Sequence, residues 1–163
     1  MKKYELTSET KIVFGHILYR IKALSSFGYV SAGDLGGFLE SEKNLSQNGN
    51  AWVSGNAWVS GNARVSGSAE VYGSARVSGN AEVSKIGSIF WIGAVGSRND
   101  TATFFRCTDG VVRVTCGCFF GNLDEFAKKV RKTHGDNDHA KVYMLAIDMA
   151  KIRISTEKEK TEE

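Results

Sequence analysis

The chain has 163 residues, is 42% apolar and carries a net charge of +3. That size suits one ordinary domain or two small ones, and so weak a positive charge does not predict nucleic-acid binding. No run of 18 apolar residues is present, so no membrane span is expected. MKKYELTSET at the N-terminus lacks the apolar run of a secretory signal. Cys107, Cys116 and Cys118 are odd in number, which argues against a disulfide framework and for a reducing, cytoplasmic setting.

In chain order, residues 12–24 (IVFGHILYRIKAL) set Ile17, Tyr19, Ile21 and Ala23 against Leu18, Arg20, Lys22 and Leu24, the alternation of a strand with one wetter face. His16 within it reads as a structural histidine rather than a ligand. Residues 33–48 read as an irregular lead-in, with Leu45 the first residue to point inward. Residues 49–84 then write one phrase six times, G-[NS]-A-x-V-[SY]. A period of six is a multiple of two, so each Ala and the Val two residues on share one side of an extended chain. Glycines between the short strands mark corners, where Asn and Ser bond local backbone. Such steps stack as a β-solenoid.

The Val-to-Ala spacing of four residues, from Val53–Ala57 to Val77–Ala81, resembles the hexapeptide repeat of left-handed parallel β-helices, known from acyltransferases and bacterial carbonic anhydrases. The resemblance implies three hexapeptides per coil, left-handed crossovers and a homo-oligomer, commonly a trimer, with a dimer as the other option. Residues eighteen apart then stack: Trp52 over Glu70, Trp58 over Arg76, Arg64 over Glu82. The outward position thus carries two tryptophans, which are either covered by the flanks or face a partner. Two coils with Ala–Val interiors are thin, so capping flanks or associated copies are expected.

After the repeat, residues 88–97, 101–108 and 111–119 read as three strands, with Asp109-Gly110 as a hairpin turn. A helix follows, capped by Asn122 with Glu125, its stripe being Leu123, Phe126, Ala127 and Val130, and ended by Gly135. A second helix begins at Asp136–Asp138 and runs to about Ile154. Tyr143, Ile147, Ala150 and Ile154 line one face, while Val142, Leu145, Met149 and Ile152 make another, so this helix is deeply buried or sits at a subunit contact.

The expected fold is mainly β: an N-terminal strand and capping segment (1–48), a short left-handed β-helix (49–84), a C-terminal α+β unit of βββαα order (85–154) and a disordered tail (155–163). The segments GDLGGFLESEKNLSQNGNAWV and GSRNDT…TCGCFFGNLDEFAKKV…HGDNDH are similar to hexapeptide-repeat proteins of phages and prophages. That resemblance implies architecture and setting rather than a chemistry. It suggests a small inhibitor or sequestering protein that blunts host defence in the host cytoplasm.

Hexapeptide acyltransferases and carbonic anhydrases need histidines around the coils, and none lies between residues 17 and 133. Both activities are disfavoured, and no cofactor is expected. The reading is a non-enzymatic binding protein that takes a host protein or a small anion such as a signalling nucleotide. Its binding residues would be Trp52, Trp58, Arg64, Tyr72, Arg76 and Arg98, because aromatic stacking with guanidinium contacts is how nucleotides are held. Replacing both tryptophans should then abolish binding and spare the fold. The KKVRK run (128–132), Arg106 and Arg113 are further basic candidates. The alternative is a metal-binding or hydrolytic unit built on Cys116, Cys118, His134 and His139, whose spacing lies near zinc-site ranges and would put both cysteines on one side of a strand. A purely structural particle component is the third option.

Overall fold

The computed structural model describes residues 1–154; the tail expected over 155–163 lies outside them. The chain is mainly β with a C-terminal pair of helices, and no described helix is long and apolar enough to cross a membrane. It divides into two compact units, Met1–Ile86 and Gly87 onward.

In the first unit the repeat forms six two-residue strands: β4 (Trp52–Val53), β5 (Trp58–Val59), β6 (Arg64–Val65), β7 (Glu70–Val71), β8 (Arg76–Val77) and β9 (Glu82–Val83). They pair in parallel at eighteen-residue spacing, Trp52 with Glu70, Trp58 with Arg76 and Arg64 with Glu82. Backbone N–H groups of one turn donate to carbonyls of the next along every side, as in Ser54 to Val71 and Ser60 to Val77, both at 2.9 Å. At the corners the chain must turn with positive φ, which costs glycine nothing; Gly55 takes +62° and Gly61 +64°, and the later corner glycines repeat the torsion. All six alanines and all six valines of the repeat are buried.

The stack starts earlier than the repeat. Strands β1 (Tyr4–Val13) and β2 (His16–Ala23) form an antiparallel hairpin, and β3 (Leu35–Leu39) pairs antiparallel with β2 but parallel with β5. The sheet order is β1-β2-β3-β5-β8. Leu39 lies beside Val59, and Leu45 bridges to Val65, so both leucines stack over valines of the repeat. Leu45 is inward as expected; the segment around Leu39, expected to be irregular, is a strand. The chain between Leu45 and Val53 is two residues longer than a repeat step. That extra length presents Gln47, whose side chain accepts from Lys3 N at 2.8 Å and donates to Tyr4 O at 3.3 Å. It thereby hooks the start of β1 onto the coil.

The alternation read over residues 12–24 is broken. Residues 14–15 are a turn, with φ of +49° at Phe14 and +82° at Gly15, and a register shift lies between Arg20 and Lys22. Leu18 is therefore buried with Ile21 and Ala23, while Ile17 is exposed. His16 is at the surface, with Nδ1 2.8 Å from Glu40 Oε1.

Lys3 supplies a titratable lock. Its ammonium is buried, donates to Ala51 O at 2.8 Å and lies 4.8 Å from the Phe27 ring centre. Burial lowers its pKa from 10.5 to about 8. The unfolded chain therefore binds this proton more tightly than the folded one between about pH 8 and 10, so this group favours folding increasingly as pH rises across that window. Above it, Tyr4, whose hydroxyl pKa is raised by burial and then by Glu42, acts in the opposite sense. The melting temperature of the wild type should gain on that of Lys3→Met from pH 8 to 10; parallel curves would contradict the assignment.

The second unit is a four-stranded antiparallel meander of β10 (Ile89–Val95), β11 (Asp100–Arg106), β12 (Val112–Cys116) and β13 (Phe119–Asn122). Two helices, α1 (Leu123–His134) and α2 (Asp138–Arg153), pack on it. Ala102, Phe104, Val112 and Val114 of the sheet meet Phe126, Val130, Tyr143, Ile147 and Ala150 of the helices. The order is thus ββββαα, where three strands were expected. Residues 111–119 are not one strand, because Gly117, with φ of +56°, turns the chain between Cys116 and Cys118. Asn122 caps α1 reciprocally with Glu125, as expected, and Asn137 caps α2.

Candidate functional site

Each residue singled out in the sequence has a definite place. Trp52 and Trp58 point outward from the coil, yet only 2% and 8% of their surface reaches solvent. Tyr4 and Phe27 pack against Trp52 in T-shaped geometry, with ring centres 6.3 and 5.4 Å away. Trp58 packs with Leu18 and Phe38, with Val13 beside them. The flanking strands cover both, so neither is a free binding face; the expectation that they could be removed without harm to the fold fails for this reason. Arg64 and Tyr72 are exposed and Arg76 is half-buried. Arg76 lines a cleft of about 250 Å³ with Lys11, Val13, Phe14, Asn56, Trp58 and Ser74.

In the second unit Arg113 forks onto Asp109 at 2.8 and 2.7 Å, which with the Val111 amide holds the Asp109 carboxyl down at about 2. Arg106 is buried. Neither offers an open phosphate contact. Arg98 is different: it is exposed, and it lines a cavity of about 330 Å³ together with Asp100, Cys116, Cys118, Phe119, Phe126, Lys129, His134 and Tyr143. The β10–β11 turn brings Arg98 and Asp100, and the β12–β13 turn brings the two cysteines and Phe119. Helix α1 contributes Phe126, Lys129 and His134, and α2 contributes Tyr143.

Tyr143 organises this space. Its ring stacks on His134 with centres 5.8 Å apart and meets Phe126 edge-on at 5.4 Å. Its hydroxyl accepts from the Cys116 thiol at 3.7 Å. Burial raises the hydroxyl pKa, Cys116 and Asp100 add to this, and Arg98 opposes it, so the phenol keeps its proton at neutral pH. Gly96, with φ of +71°, leaves the room the hydroxyl occupies; a methyl group there would collide with it.

The four-ligand alternative is not assembled. Cys116 and Cys118 straddle a turn, His134 is stacked on Tyr143, and His139 is exposed beside His134 with ring centres 5.5 Å apart. Among the described residues no group of three or more His, Cys, Asp or Glu side chains is placed to hold a metal. Asp100 and Tyr143 were missed as site residues. Tyr143 carries no signal beyond its place in the buried stripe of α2, and Asp100 sits where hairpin closure, not periodicity, decides the neighbours. No family model and no curated protein matches the chain.

Proposed function

We propose that the chain is a non-enzymatic, phage-type binding protein that inhibits host defence in the host cytoplasm by sequestering a small anion of the signalling-nucleotide class. The observation that carries this reading is the cavity of the second unit. Arg98 from a strand turn and Lys129 from α1 line one space with the aromatic rings of Phe119, Phe126 and Tyr143. Cations fix an anionic group, the partly exposed Phe119 offers an apolar surface to a base, and Asp100 and the protonated Tyr143 hydroxyl supply polar contacts that orient it. Tyr143 keeps its proton and so cannot take one from Cys116 at neutral pH, which supports binding rather than thiol chemistry at this pair. The phage setting and the anti-defence role rest on the sequence resemblance to phage hexapeptide-repeat proteins.

In the same reading the first unit is a left-handed parallel β-helix that serves as the scaffold. The eighteen-residue pairing and the repeated positive-φ corners support a coil of three hexapeptides, and the hexapeptide resemblance supports the left hand.

Calorimetric titration with nucleoside mono- and diphosphates and cyclic dinucleotides tests the site. One member should bind with one site per chain. Arg98→Ala and Lys129→Ala should each weaken it about 10- to 100-fold, the range for losing a charged hydrogen bond, while Arg64→Ala leaves it unchanged. Binding that survives loss of both cations would refute the placement.

A further inference from the structure

The second helix carries an apolar face that stays exposed among the described residues. Its buried side is Ala140, Tyr143, Ala146, Ile147 and Ala150. On the other side Val142, Leu145, Met149 and Ile152 are 39%, 63%, 49% and 89% exposed. Their spacing is three, four, three. At 100° per residue these four side chains fall within a stripe about 80° wide. That is the a/d pattern of a two-heptad coiled-coil seam, with Val142 and Met149 at a, and Leu145 and Ile152 at d.

We infer that this stripe is the contact between two copies of the chain, which pair their α2 helices in parallel. A seam of this kind is self-complementary, since each a and d layer meets its own counterpart across a two-fold axis. The first heptad, with β-branched Val142 at a and Leu145 at d, is the combination that favours two parallel strands. The flanking charges choose the same arrangement. Asp148 occupies the g position before Met149 and Arg153 the e position five residues on, and both are exposed. In a parallel pair each Asp148 faces the Arg153 of the other copy, twice by symmetry. An antiparallel pair with all four layers matched would set the two Asp148 carboxylates side by side. Tyr143 lies on the opposite side of the helix, so pairing leaves the cavity of the second unit open. The inference does not depend on what that cavity holds.

Sedimentation velocity on the full chain from about 1 to 100 μM, a range that spans typical weak dimers, provides the test. The wild type should sediment as a dimer of the 17.8 kDa chain. Leu145→Glu should sediment as a monomer with an unchanged circular dichroism spectrum and a nearly unchanged melting temperature, because Leu145 is mostly exposed and lies outside the core of its unit. Asp148→Arg should raise the dissociation constant about tenfold by turning two attractive pairs repulsive. Adding Arg153→Asp to it should restore the wild-type value. A wild-type monomer would overturn the inference and leave the face to a foreign partner. So would a trimer, or a dimer that Leu145→Glu leaves intact. A dimer insensitive to Asp148→Arg would overturn the parallel register.

Discussion

Replacing Trp52 with alanine should lower the stability of the first unit by about 3–5 kcal/mol, the range for emptying a large aromatic site in a core. The indole belongs to no ligand site; it fills the space between the coil and the strands laid over it. Tyr4 and Phe27 pack against it in T-shaped geometry, and Gly36 approaches so closely that a Cβ there would lie 2.6 Å from indole Cζ2. To fill the hole Tyr4 or Phe27 would have to move with the backbone of the segments laid over the coil. Urea unfolding followed by the fluorescence of Trp58 and Trp91 measures the effect. A loss below about 1 kcal/mol, the level typical of surface substitutions, would mean that Trp52 is not the keystone of this layer. Any loss of ligand binding in Trp52→Ala should track unfolding rather than precede it.

Gly37→Ala should be nearly as damaging, at about 3 kcal/mol, the upper end of ordinary overpacking costs. Gly37 stands where the repeat has alanine, in the turn that precedes the regular coils. A Cβ on it would sit 2.5 Å from Ala57 O and 2.8 Å from Val53 Cγ1. Both obstacles belong to the coil itself, so β3 must lift away. Lifting it breaks the bonds from Phe38 N to Ala57 O and from Glu40 N to Val59 O, each 3.0 Å. Gly87, with open space around its position, is the control, and Gly87→Ala should change the unfolding midpoint little. Equal midpoints for the two variants would mean that β3 does not depend on this close approach.

The repeat was legible because six identical steps leave one solution for where Val and Ala point. What preceded it was hidden by two changes. Leu39 and Leu45 replace valine, and the two additional residues before Val53 break the period that would have linked them to it. Periodicity also assigns the outward direction of Trp52 and Trp58 but not what lies over them. That depends on β1 to β3, and β1 is polar enough along YELTSETKIV to pass unnoticed; hydrogen bonds to Gln47 and Ala51 from Lys3 help to place it.

In the second unit the helix caps were readable from local chemistry, Asn122 with Glu125 above all. The Cys116-Gly117-Cys118 stretch misled because one positive-φ glycine turns an apolar run into a hairpin. The site residues divide along the same line. Arg98 and Lys129 were visible as cations in the sequence, but their meeting around Tyr143 depends on how two hairpin turns and two helices close on one another.

The cavity around Tyr143 is proposed to hold a small anion. Native mass spectrometry of protein recovered from phage-infected cells tests it most directly, with wild type and the Arg98→Ala, Lys129→Ala double variant compared before and after denaturation. The wild-type chain should carry one additional small mass, released on denaturation and missing from the variant. A bare wild-type chain, or an adduct that the double variant retains, would contradict it.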